Sequence, residues 1–134
     1  MNTLNQSILP IRTETDVVMV RQKVRTVSVD LKFSLVDQTK MVTAASELAR
    51  NVLIYGGGGS VAIEVLLRDY RSGLRLTFED QGPGIPDIEL AMKDGYTSGA
   101  GLGMGLGGAR RLVNEFEITS RVGEGTRVVI TRWK

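Results

Sequence analysis

The sequence predicts a two-layer α+β sandwich: a mostly antiparallel, mixed sheet with helices packed on one of its faces. Two stretches with apolar residues at helical spacing come first, at 13–31 and 34–55. Two pairs of alternating apolar and polar runs come next, each pair joined by turn-like residues, so each reads as a hairpin. Consecutive hairpins argue against a doubly wound parallel sheet, whose strands need long crossovers. At 134 residues the chain suits one domain, 1–134, with one core.

In chain order, residues 7–12 (SILPIR) predict a short edge strand, where Pro10 is tolerated because an edge strand can spare an N–H. Thr13 or Thr15 can cap a first helix reaching about Leu31, with Val20, Val24, Val27 and Leu31 on one stripe. Its valines are weak helix formers, so this helix depends on packing. Ser34 can cap a second helix to about Tyr55, with Met41, Ala45, Leu48 and Val52 inward and the GGGG run at 56–59 ending it. SVAIEVLLRDY and GLRLTFED alternate as two strands around a turn at 70–73. Residues 86–94 predict a short helix capped by Asp87, and 104–114 a further one. FEITSRV and TRVVITRW form the second hairpin around GEG.

Composition excludes several chemistries. There is no cysteine, hence no disulfide or thiolate metal site. There is no histidine, hence no Ser-His-Asp triad, no histidine-ligated metal and no phosphohistidine in this chain. The net charge is only +2 and no basic run is interleaved with aromatics, which predicts no nucleic-acid partner. No apolar run approaches the roughly 20 residues of a membrane helix, and no signal-peptide pattern opens the chain, so a cytoplasmic protein is expected.

Four motifs carry chemistry. Residues 103–108 match G-x-G-x-x-G, but no strand precedes them and Val128 falls near the place a ribose-binding acid would occupy, so a dinucleotide fingerprint fails. A P-loop fails too, since neither glycine run continues into Gly-Lys-Ser/Thr. What remains is a phosphate cradle: Gly101, Gly103, Gly105 and Gly107 precede a helix, where backbone N–H groups converge on an anion. A mere connector would spend much conformational entropy on so many glycines.

In ELARN, Glu47 and Asn51 are four apart and share a helix face, about 100° from the Leu48/Val52 stripe. Such pairs are common on solvent faces. The functional reading is an amide that holds Mg²⁺ whose other ligands are phosphate and water, one turn from a carboxylate that accepts a hydroxyl proton. In LTFEDQGPGIPD, Asp80 ends a stripe of Leu74, Leu76 and Phe78. It is either a turn aspartate bonding its own backbone or an acceptor for the exocyclic amine of adenine, with Gly82 and Gly84 letting the nucleotide approach. In GEGT, Thr126 is in phase with Val128 and Ile130 and can join a polar cluster beside Asp80.

E-x-x-x-N on a helix, D-x-G-x-G after a strand, G-x-G-x-G before a helix and then G-x-G-T resemble, as an ordered set, the Bergerat ATP-binding fold of the GHKL superfamily. The strings SELARN, EDQGPGIPDIELAMKDG, GLGMGLGGARRLVNEFEI and GEGT, with Trp133, are similar to the serine-protein kinases of bacterial stressosomes and partner-switching modules. The resemblance implies that Asn51 binds Mg²⁺ and Glu47 is the general base. It implies ATP binding by Asp80, Gly82, Gly84, Ile85, Thr126 and the run Gly101, Leu102, Gly103, Met104, Gly105, Leu106, Gly107, with 87–103 as a lid. Arg50, from its place in ELARN, is added as a catalytic candidate for phosphate contact or orientation. The implied substrate is a serine or threonine of a STAS-domain scaffold or antagonist, and the implied downstream effector a PP2C-type phosphatase of a sigma-factor stress response. Two alternatives stay open: an anti-sigma kinase that binds a sigma factor directly, and a nucleotide-gated binding module with little kinase activity. Homodimerisation is left open.

Overall fold

The computed structural model describes residues 2–92 and 105–134. Strand β1 (Asn2–Ile11) leads into helices α1 (Glu14–Asp30) and α2 (Leu35–Ile54). The hairpin β2 (Gly59–Arg68) and β3 (Arg71–Asp80) comes next, then the short α3 (Ile88–Ala91) and α4 (Gly105–Arg111). The hairpin β4 (Glu115–Arg121) and β5 (Gly125–Trp133) ends the fold. The five strands form one sheet in the order β1-β2-β3-β5-β4, and every described pairing is antiparallel. The expected α+β sandwich is therefore present, with an antiparallel rather than a mixed sheet.

Local chemistry explains the helix boundaries. Thr13, not Thr15, caps α1: its hydroxyl accepts from the Asp16 amide at 3.1 Å, and the Asp16 carboxylate returns the bond to the Thr13 amide at 3.2 Å. Ser34 caps α2 by accepting from the Asp37 amide at 3.1 Å. Val17, Val20 and Val24 of α1 and Met41, Ala45, Leu48 and Val52 of α2 are buried against Ile63, Leu74, Leu76, Phe78, Val128 and Ile130 of the sheet. Ser28, also buried on α1, spends its hydroxyl on the Val24 carbonyl at 2.7 Å.

Several boundaries differ from the sequence expectation; the short α3, for one, closes at Ala91 rather than near 94. Strand β1 starts at Asn2 rather than residue 7, because it pairs with β2 from Asn2↔Leu67 to Ile11↔Gly59, with one register break between Thr3 and Asn5. The first hairpin turns at Asp69 and Tyr70, both at positive φ (48° and 69°), and not over 70–73; Arg68 and Arg71 close the ladder across this two-residue loop. Helix α4 ends at Arg111 instead of 114, where the Leu112 amide tightens onto the Ala109 carbonyl.

The central strand β3 carries the core out to the polar end of the sheet. Leu74, Leu76, Phe78 and Asp80 project toward the helices, and all four are buried. Arg132 on β5 holds the helical layer to the sheet: its guanidinium donates to Asp37 Oδ1 at 2.7 Å and to the Leu112 carbonyl at 2.9 Å.

Candidate functional site

Each of three adjacent strands ends its helix-facing stripe in a polar residue. On β3 the stripe runs Leu76, Phe78, Asp80; on β5 it runs Ile130, Val128, Thr126; on β4 it runs Phe116, Ile118, Ser120. The register sets these ends side by side, Asp80 opposite Thr126 and Thr126 opposite Ser120. Paired residues project to the same face. The result is a polar row across the end of the sheet, at the rim of the hydrophobic core.

Asp80 is 9% exposed. Its Oδ1 accepts from the Gly82 amide at 2.9 Å, the turn bond that Asp often makes. No described residue donates to Oδ2. One oxygen thus holds the turn, and the other remains an acceptor beside Gly56.

The turn after Asp80 is sewn to the second hairpin. The Ile85 amide donates to Ser120 Oγ at 2.8 Å, and the Gly123 amide to the Pro83 carbonyl at 2.8 Å. Gly84, at φ +78°, lies so close to the Arg121 carbonyl that a side chain has no room. Ser120 Oγ also donates to the Gly125 carbonyl at 3.1 Å and contacts Thr126 Oγ1 at 2.8 Å.

Helix α2 approaches the same row through its C-terminal end. Glu47 and Asn51 lie half-buried on one face, one turn apart, while Leu48 and Val52 are buried. The Asn51 carbonyl accepts from Tyr55 and Gly56 at 3.0 and 3.1 Å, and the chain then turns under Asp80. A Cβ at Gly56 would lie 2.6 Å from Asp80 Oδ2, and one at Gly82 would lie 2.7 Å from the Gly56 Cα. The loop after α2 therefore forms the floor beneath the carboxylate. Asn51 and Asp80 occupy the same end of the molecule, joined through Gly56.

Two open cavities flank this end. One of about 570 Å³ is lined by Arg12, the 57–60 loop, Glu79, Asp80 and Gln81. The other, about 390 Å³, lies between α3, α4 and β4 and is lined by Ile88, Glu89, Met92, Arg110, Phe116 and Ile118. Neither is lined by Glu47 or Asn51. Arg50 is half-exposed and pairs with Glu14 of α1 at 3.5 Å, so its guanidinium faces the first turn of α1 and not the polar row. Of the glycine segment, Gly105, Leu106 and Gly107 open α4, which packs on α2, with Leu106 and Gly107 buried. Gly101, Leu102, Gly103 and Met104 lie outside the described residues, as does most of the expected lid. Among the described residues no group of three acidic side chains could hold a metal.

The acceptor at Asp80 is of the kind that an adenine amine needs. An acceptor without a partner among the described residues ends a buried apolar stripe, as an adenine edge above an apolar floor requires. A lone amide at Asn51 without clustered carboxylates suits Mg²⁺, which takes most of its ligands from phosphate and water.

The chain belongs to the family of histidine kinase-, DNA gyrase B- and HSP90-like ATPases, which matches it over residues 36–134. That membership implies an ATP site. Within the family the chain is a homologue of the serine/threonine-protein kinase RsbT of Bacillus subtilis (strain 168), with 46% identity over 129 residues, 96% of this chain and 97% of that protein. It is also similar to the anti-sigma F factor of Thermoanaerobacter sp. (strain X514), 34% identical over 96 residues, covering 68% of this chain and 66% of that one. Its fold is shared with the RsbU and RsbW domains of a Mycobacterium tuberculosis protein (TM-score 0.66, 20% identity, 96% of this chain and 31% of that one). A mycobacterial sensor histidine kinase also shares it (TM-score 0.57, 18% identity, 96% and 97%).

Sequence reasoning missed two residues of this arrangement, Ser120 and Gly56. Ser120 had a legible signal: a hydroxyl in phase with Phe116 and Ile118, in the place where Thr126 stands on β5 and Asp80 on β3.

Proposed function

We propose that the protein is an ATP- and Mg²⁺-dependent serine/threonine kinase. Its substrate is a serine or threonine on a STAS-domain scaffold or antagonist, and its release passes a stress signal to an effector such as a PP2C-type phosphatase. The observation that carries this reading is the similarity to a serine/threonine-protein kinase along 96% of the chain, joined to the buried Asp80 carboxylate at the end of the core.

Phosphoryl transfer depends mainly on positioning and charge neutralisation. Asp80 Oδ2 accepts from the exocyclic amine of adenine, with Ile85, Gly82 and Gly84 alongside and Thr126 beside it. Asn51 is the residue that would hold Mg²⁺, which supplies charge neutralisation on the phosphates when bound. Gly105 and Gly107, at the start of α4, lie toward the phosphates. Glu47, one turn from Asn51, takes the proton from the incoming hydroxyl. The acceptor protein completes the site and excludes water, so ATP turnover without it is slow.

Incubation with γ-labelled ATP, Mg²⁺ and a STAS-domain protein tests the proposal: label on a serine or threonine of the partner is expected, and no transfer under any partner or metal condition refutes it. The 34% similarity to an anti-sigma F factor supports a second reading, direct binding of a sigma factor. Pull-down against STAS proteins and sigma factors separates the two, and binding by a sigma factor alone favours the second.

A further inference from the structure

We propose that Ser120 is a positioning residue for nucleotide specificity. By taking up the hydroxyl proton of Thr126, it leaves the neighbouring Thr126 and Asp80 side chains with acceptors only, which favours 6-amino over 6-oxo purine nucleotides.

The hydroxyl protons can be counted. Ser120 Oγ contacts the Ile85 amide at 2.8 Å, the Gly125 carbonyl at 3.1 Å and Thr126 Oγ1 at 2.8 Å. A hydroxyl has one proton and two lone pairs. The amide can only donate, so it occupies one lone pair. The carbonyl can only accept, so it occupies the proton. The third contact is satisfied only if Thr126 donates into the remaining lone pair. The single proton of Thr126 is thereby turned toward β4, and only lone pairs are left to face elsewhere.

Thr126 stands opposite Asp80 in the β3–β5 register. Asp80 Oδ1 is held by the Gly82 amide at 2.9 Å, and Oδ2, as a carboxylate oxygen, accepts. The two side chains together offer no donor. A 6-amino purine presents N–H donors to such a wall. At the 6-position a 6-oxo purine presents an acceptor where a 6-amino purine presents donors, and a site that leaves a polar group unpaired rejects the wrong ligand strongly. Asp80 alone would repel a 6-oxo group, but a freely rotating Thr126 could turn a proton toward it and relieve the repulsion. Ser120 removes that option.

The inference rests on the ATP-site reading, and one experiment separates their failures. Affinities for ATP and ITP are measured by calorimetry on the full chain for wild type, S120A, S120T and the double variant S120A/T126V. Wild type that binds no ATP removes the reading and the inference together. With ATP bound, S120A is expected to narrow the ATP-over-ITP preference by about five- to tenfold, one hydrogen bond's worth. S120T, which keeps the hydroxyl, is expected to retain the wild-type preference, and S120A/T126V to show the preference of T126V alone, since no hydroxyl is then left for Ser120 to turn. If S120A weakens ATP and ITP by one common factor, Ser120 only supports the loop and the inference is overturned. Should S120A fail to fold by circular dichroism, T126V read against T126S decides: T126V is expected to narrow the preference and T126S to keep it, and an unchanged preference in T126V overturns the proposal.

Discussion

Replacing Gly56 by alanine tests how the loop after α2 supports the acidic residue of the site. The added methyl would lie 2.6 Å from Asp80 Oδ2 and from Asp80 Cβ, well inside van der Waals contact. Asp80 has little freedom to yield, since it is 9% exposed and its Oδ1 is fixed on the Gly82 amide at 2.9 Å. Overpacking of this kind costs about 1–3 kcal/mol. Rotating the carboxylate away relieves the clash but gives up a hydrogen bond to a charged group, about 1.5–3 kcal/mol. The two costs are alternatives more than additions, so a loss of about 2–3 kcal/mol in folding stability is expected. If the rotated carboxylate no longer faces the nucleotide, the Kd for ATP should rise about 10- to 100-fold. Urea denaturation reads the first quantity and calorimetric titration with ATP the second. Gly57→Asn is the control: that position has φ +73° but nothing within 4 Å, and asparagine tolerates the left-handed region. Gly56→Ala with wild-type stability and ATP affinity would refute the reasoning.

The same geometry sets further outcomes. Glu47→Ala should retain ATP affinity and lose transfer to the acceptor protein in a labelling assay; transfer at the wild-type rate would remove the base assignment. Arg50→Ala should leave ATP affinity and transfer within about twofold and stability within about 1 kcal/mol, because the Arg50–Glu14 pair is long and exposed. A large loss of transfer would return Arg50 to the site. Arg132→Met should destabilise by about 1.5–3 kcal/mol in urea melts, since it removes the bonds to Asp37 and the Leu112 carbonyl and leaves Asp37 half-covered without its partner.

The range of each interaction decides whether the sequence disclosed it or hid it. The caps at Thr13 and Ser34, the valine stripe of α1 and the alternation of β2, β3 and β5 are local signals, and each became the element expected. The first half of β1 was hidden because an edge strand reading NTLNQ shows no alternation: Thr3, Leu4, Asn5 and Gln6 are all exposed, and the strand is held by backbone pairing with β2. The turn at Asp69-Tyr70 was hidden because tyrosine at φ 69° is an uncommon way to close a two-residue loop. The strand order, with β5 between β3 and β4, depends on long-range pairing that no local pattern encodes. The same distinction runs through the site. Asp80 and Thr126 were legible because each interrupts an apolar stripe beside a glycine motif. Ser120 interrupts one too, but its role comes only from being registered beside Thr126. Gly56 looked like a helix stop, and only the packing of the loop against Asp80 gives it a second task. Arg50 was drawn in by its neighbours in ELARN, yet it sits about 100° around the helix from Asn51, toward α1.

The central claim is that the polar row at the end of the sheet receives the base of ATP. Paired titrations of wild type and Asp80→Asn with ATP and GTP test it most directly. The account predicts that wild type prefers ATP, and that the amide, able to turn a donor outward, weakens ATP by about tenfold or more while narrowing its lead over GTP. Equal ATP affinity in the two proteins, with the preference intact, would contradict it.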